Sequence, residues 1–192
     1  MGRQRLEAFS DGVFAVIITI MVLDLKVPVG SGLTDLLGLL PSIYGYALSF
    51  IFVGIYWTNH HHLMHTVGKT NGGMLWVNLF LLFWISLFPF CVSWLDTSHF
   101  AGVPTAVYAV ILFMAAISYT ILQNTIIATH GRDSLLAKAL GNDFKGKISI
   151  GFYVAALAAA FYMPMISQVL FVTVAIIWLV PDRRIERVVT QE

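Results

Sequence analysis

Residues 8–25, 36–58, 74–95 and 104–128 are four apolar runs, each close to or above the 20 or so residues needed to cross a hydrocarbon layer. Inside such a layer the backbone has no water to bond, so a spanning segment of this kind must satisfy its own amides and carbonyls as an α-helix. Little chain is left between the runs for a water-soluble catalytic domain. Composition agrees: 58% of the 192 residues are hydrophobic and 11% charged, and the mean hydropathy is +0.83. The sequence therefore predicts an all-α integral membrane protein, with residues 1–192 forming a single transmembrane domain.

Residues 148–180 form one more apolar stretch, broken by "MPMISQ". Pro164, Ser167 and Gln168 read as a tight hairpin between two short spans, 148–163 and 166–180. A single kinked helix is the alternative. Charge placement favours the hairpin, because six spans put Arg3, Arg5, Lys69, Arg132, Lys138, Lys145, Lys147, Arg183, Arg184 and Arg187 on one side and leave only Lys26 on the other. Both termini are then cytoplasmic. The loop "THGRDSLLAKALGNDFKGK" has room for a short interfacial helix near Ser134 to Leu140. The amino terminus lacks the small-residue cleavage site of a secretory signal, so residues 8–25 are expected to remain as the first span.

The first span carries polar residues that lipid would reject. With a step of about 100° per residue and Val16 at the origin, Thr19 falls at about −60°, Ile20 at about +40°, Leu23 at about −20° and Val27 at about +20°. Phe9 and Gly12 extend this stripe. Ser10 falls near +120° and Asp11 near −140°, on the opposite side. A carboxylate at membrane depth is costly unless paired, so Asp11 is expected to face the bundle and accept hydrogen bonds from a neighbouring helix. The stripe is left to meet lipid, another helix or a water path.

The second span ends in "YWTNHHHLMH" and the third holds Asn78. His60, His61 and Asn78 are expected to join the first span in one polar knot, with some imidazoles bonded to Asp11. His61 and His65 have the HxxxH spacing of a metal-binding helix face. No second histidine box or intramembrane Glu cluster completes a ligand set, however, so no metal is assigned. His62 and His65 receive no role. No nucleophile constellation, phosphate loop or catalytic carboxylate pair occurs, so enzyme activity is not expected. The formal net charge of +1 gives no reason to expect nucleic acid, and Cys91 lies alone inside an apolar run.

Arg5, Phe9, Ser10 and Asp11 form an R-x-x-x-F-S-D signature. With "YWTNHH" on the second span and Asn78 followed by "LFPF" on the third, the chain resembles the lysosomal and prokaryotic potassium channel family named for transmembrane protein 175. The resemblance implies a six-helix subunit, assembled as a homotetramer around a pore lined by the first helix. It implies a potassium-permeable channel in a prokaryotic plasma membrane, with lipid and monovalent cations as partners and no cofactor beyond the permeant ion. Val16, Ile20 and Leu23 match the family's pore positions, and Thr19 matches a site where some members carry a selectivity hydroxyl. Val16 is smaller than the usual residue, which shifts the narrowest ring toward Ile20 or Leu23. The signature residues, with Trp57, His60, His61 and Asn78, look like the family's hydrogen-bond network. No "TVGYG" filter loop occurs, so apolar rings that gate by dewetting and a threonine ring are the expected selectivity elements. Asp24, near the external mouth, either concentrates cations or snorkels to the interface. A proton-coupled secondary transporter, with Asp11 and the histidines as a relay, is the competing reading. A metal-dependent membrane enzyme is the third.

Overall fold

The computed structural model describes residues 2–131, 133–140 and 143–179. These residues form α1 (Arg3–Leu23), α2 (Leu33–Leu37), α3 (Leu40–His65), α4 (Gly72–Ser86), α5 (Phe88–Thr97), α6 (Gly102–His130), α7 (Leu135–Leu140), α8 (Phe144–Ala160) and α9 (Pro164–Leu179), with no strand among them. Arg132, Arg183, Arg184, Arg187 and the last residue of the 166–180 run lie outside the described residues.

Among the described residues, four helical rods are long and apolar enough to cross a membrane: α1, α3, α4 with α5 as one segment, and α6. The break between α4 and α5 has a local cause. Pro89 has no N–H to return to the carbonyl of Ile85, and the ladder resets at Leu87, which ends one helix and starts the next. Ser86 Oγ donates to the Phe83 carbonyl at 2.7 Å beside the break. Polar residues at the ends of the apolar runs do not stop the helices. α1 begins at Arg3, ahead of residue 8, and α3 continues past residue 58 to His65, because the backbone ladder outlasts the apolar window.

α8 and α9 are shorter and meet through residues 161–163, so the turn falls ahead of Pro164, Ser167 and Gln168 and not at them: Pro164 opens α9, where its missing N–H is harmless, and Ser167 and Gln168 are buried within it. Two cross-links fix their antiparallel register. Ser167 Oγ donates to the Ala156 carbonyl at 2.7 Å near the turn, and Trp178 Nε1 donates to Ser149 Oγ at 2.8 Å at the far end. α6 is the hub of the bundle, packed most extensively against α4 and α8, and its Tyr108, Leu112, Ala115, Leu122 and Ile126 are buried. His130 clips the loop after α3 to the end of α6: its Nε2 accepts from the amides of Gly68 and Lys69 at 3.0 and 3.1 Å.

Gly102 marks the closest approach at the opposite end. A Cβ there would stand 2.7 Å from the carbonyl oxygen of Ala160 in α8. Gly102→Ala is expected to destabilise the protein by about 1–3 kcal/mol, the usual range for forcing atoms into a packed contact. Thermal unfolding in detergent checks this, and an unshifted midpoint would show that α6 and α8 separate there at no cost.

Candidate functional site

α1 is the least enclosed of the four long spans and has two distinct faces. Leu6, Ser10, Phe14, Ile17 and Met21 recur at three- and four-residue intervals and are buried against the bundle. The other side holds Phe9, Gly12, Val16, Thr19, Ile20 and Leu23, all exposed. The contrast is large: Val16, Ile20 and Leu23 are 54%, 45% and 82% exposed, while Phe14, Ile17 and Met21 are 1%, 3% and 0%. Nothing among the described residues covers this apolar stripe. Its one hydroxyl is already satisfied, since Thr19 Oγ1 donates to the Val16 carbonyl at 2.8 Å. Asp24 caps the end of α1 and is exposed beside Leu23.

Behind the stripe, a buried chain of hydrogen bonds joins three spans. Ser10 Oγ donates to the Leu6 carbonyl at 2.9 Å and accepts from Asn78 Nδ2 at 3.0 Å. Asn78 Oδ1 is 2.8 Å from His60 Nε2, and with the Asn78 amide already spent on Ser10 the imidazole must be the donor. All three side chains are wholly buried, and the Phe14 and His60 rings pack in a T-shaped contact. His60 Nδ1 has no partner among the described residues. Such a chain fixes the rotation of α1 about its own axis, because Ser10 reaches Asn78 from one orientation only.

A second, more exposed cluster lies toward the start of α1. Trp57 Nε1 donates to Asp11 Oδ1 at 3.0 Å, and the indole stacks on His61 with ring centres 6.2 Å apart. His61 Nδ1 is 3.3 Å from Glu7 Oε1, and its Nε2 is 3.1 Å from His65 Nε2.

The histidines therefore divide between two clusters, and neither His60 nor His61 bonds Asp11. Neighbouring helical positions point about 100° apart, which sends His60 to α4 and His61 to the turn of α1 that carries Glu7. Asp11 is half-buried and takes an indole donor instead of an imidazole. Of the signature residues, Ser10 enters the buried chain and Asp11 the outer cluster. Arg5 is exposed, and Phe9 stands on the open stripe. Glu7 escaped the sequence reading because its partners lie on another helix; its one signal was an acidic residue one turn before Asp11 on the same span.

Comparison with known proteins places these features in context. The family model described as the endosomal/lysosomal potassium channel TMEM175 matches residues 5–89, which include both clusters and the stripe. A potassium channel of Chryseobacterium sp. (strain P1-3) is 55% identical over 187 residues, covering 97% of each chain. The endosomal/lysosomal proton channel TMEM175 of Homo sapiens is 30% identical over 145 residues, which are 66% of this chain and 28% of that protein. Among solved structures, the lysosomal potassium-selective channel TMEM175 homolog from Chamaesiphon minutus superposes with a TM-score of 0.78 at 29% identity. The match covers 94% of this chain and 97% of that one.

Proposed function

Because the chain belongs to the TMEM175 potassium channel family, we propose that it conducts potassium passively through a pore lined by the open face of α1. The observation that carries this reading is the uncovered stripe of Val16, Thr19, Ile20 and Leu23 on a helix whose other face is locked into the bundle. Lipid alone would accept Val16, Ile20 and Leu23 but gives Thr19 no advantage. Four six-span subunits, with α8 and α9 as the last two spans and both termini cytoplasmic, would bring four such stripes to one axis.

In this assembly Ile20 and Leu23 form apolar rings that hold the pore dry when it is narrow, and Thr19 offers oxygens to a partly dehydrated ion. Asp24 stands past Leu23 and concentrates cations at the outer mouth. Selectivity rests on a hydroxyl ring instead of a carbonyl cage, so discrimination against sodium is modest. The buried Ser10, Asn78 and His60 chain sets the rotation of α1 and hence the direction of the stripe. Such a channel needs no cofactor.

Protein reconstituted in vesicles should pass potassium down its gradient without a coupled proton. Flux that occurs only with an opposing or accompanying proton gradient would favour a coupled transporter and defeat the proposal. Thr19→Val keeps the shape and removes the hydroxyl, and is expected to bring the potassium-to-sodium permeability ratio close to one while current persists. Reversal potentials under bi-ionic conditions measure it, and an unchanged ratio would take Thr19 out of the selectivity element.

A further inference from the structure

We propose that Glu7, His61 and His65 form a transition-metal site of the zinc class, joining the first turns of α1 to the end of α3. The three side chains already stand close enough together to share one ion. A tetrahedral zinc with nitrogen and oxygen ligands at about 2.0–2.1 Å holds those ligands roughly 3.3 Å apart. His61 reaches Glu7 Oε1 through Nδ1 at 3.3 Å and His65 Nε2 through its own Nε2 at 3.1 Å; one imidazole gives an ion one nitrogen, so only one of these two contacts becomes a ligand pair. One ligand atom from each residue lies within 4.8 Å of the others, so rotation of the exposed His65 ring, together with an adjustment of the His61 ring or the Glu7 carboxylate, brings the set to ligand spacing.

The ligand chemistry is equally suited. Two imidazoles and a carboxylate are a recurring zinc set that leaves a fourth position for water. The histidines are four residues apart on one helix, which puts both rings on one face, and their centroids are 4.5 Å apart. In the absence of metal the two facing Nε2 atoms must share a proton between them; a metal ion uses a lone pair on each imidazole and relieves that constraint. Trp57 supports the set from behind by stacking on His61 while its N–H is held by Asp11. Glu7 is 18% and His61 43% exposed, so an ion can enter without opening the bundle. Arg3 is the opposing charge. Its guanidinium bonds the His65 carbonyl at 3.4 Å, directed to the backbone and not to the imidazole.

HxxxH alone supplied two ligands, and the fold supplies Glu7 as the third from a different helix. Purified protein in detergent, stripped with chelator and titrated with Zn2+, should bind one ion per subunit saturably in the micromolar range. Co2+ in its place should show the visible absorption of a tetrahedral nitrogen and oxygen site. Glu7→Gln and His65→Ala should each weaken binding at least about tenfold and abolish the Co2+ spectrum, while His99→Ala leaves both intact. Monodisperse elution of each variant confirms that it is folded. Failure of the unsubstituted protein to bind saturably, or full binding by both Glu7→Gln and His65→Ala, would overturn the site.

Discussion

Asparagine in place of Ile20 is expected to raise the potassium conductance of reconstituted protein about tenfold, which corresponds to about 1.4 kcal/mol off the barrier. The direction follows from what the side chain does in an apolar ring. A narrow ring of hydrocarbon expels water, and an ion crossing it loses hydration with nothing in exchange. An amide keeps the ring wet and offers an oxygen. Ile20 is flanked by Thr19 and by Leu23 one turn on, all on the face that the subunit leaves open. Leu23→Asn should act in the same direction. Asn at Ile17, which is 3% exposed on the opposite face, should instead damage the fold. Single-channel or flux measurements decide, and unchanged conductance in both the Ile20 and Leu23 variants would remove these side chains from the pathway.

Asn78→Leu should clearly lower stability. It keeps the volume but strips the acceptor from His60 Nε2–H and the donor from Ser10, in a place that water does not reach. An orphaned buried polar group costs about 1–3 kcal/mol. Hydrogen bonds between membrane helices are often worth less, since the separated helices find other partners. A fall of roughly 5 °C in the unfolding midpoint is the expected result for a chain of this size. Asp11→Asn makes a useful contrast: it keeps a carbonyl acceptor for Trp57 at a half-buried position and should shift the midpoint less. Pairing Asn78→Leu with His60→Phe removes both partners and should recover part of the loss. An Asn78→Leu protein as stable as the parent would show that the chain of bonds does not hold α1 in place.

The two faces of α1 were legible because a regular helix converts residue spacing directly into direction. One 100° step rule separated Val16, Ile20 and Leu23 from Ser10, and the same residues divide into exposed and buried sets in the fold. The break at Leu87 was hidden, since a lone proline at position 89 inside an apolar run looks the same whether the helical ladder resets or continues. The partners of the histidines were also hidden. Spacing along α3 tells which imidazoles share a face, but which helix they meet depends on packing between elements distant in sequence. His60 meets Asn78, 18 residues away, and His61 meets Glu7 on α1. Hydropathy likewise found the apolar windows but not the helix ends, because Arg3 and His65 continue a backbone ladder begun by apolar neighbours.

Conduction as proposed requires the open face of α1 to line the path of the ion. The chain has a single cysteine, Cys91, and it is buried, so a Cys91→Ala background gives a clean surface for thiol chemistry. In that background Leu23→Cys is exposed, during potassium current recording, to a charged, membrane-impermeant thiol reagent. The current should change sharply as the reagent reacts, and added potassium should slow the reaction. The same reagent on Val169→Cys, an exposed position on α9, should leave the current unaltered. A Leu23→Cys protein that resists the reagent, or reacts with no change in current, would place the stripe against lipid and contradict the account.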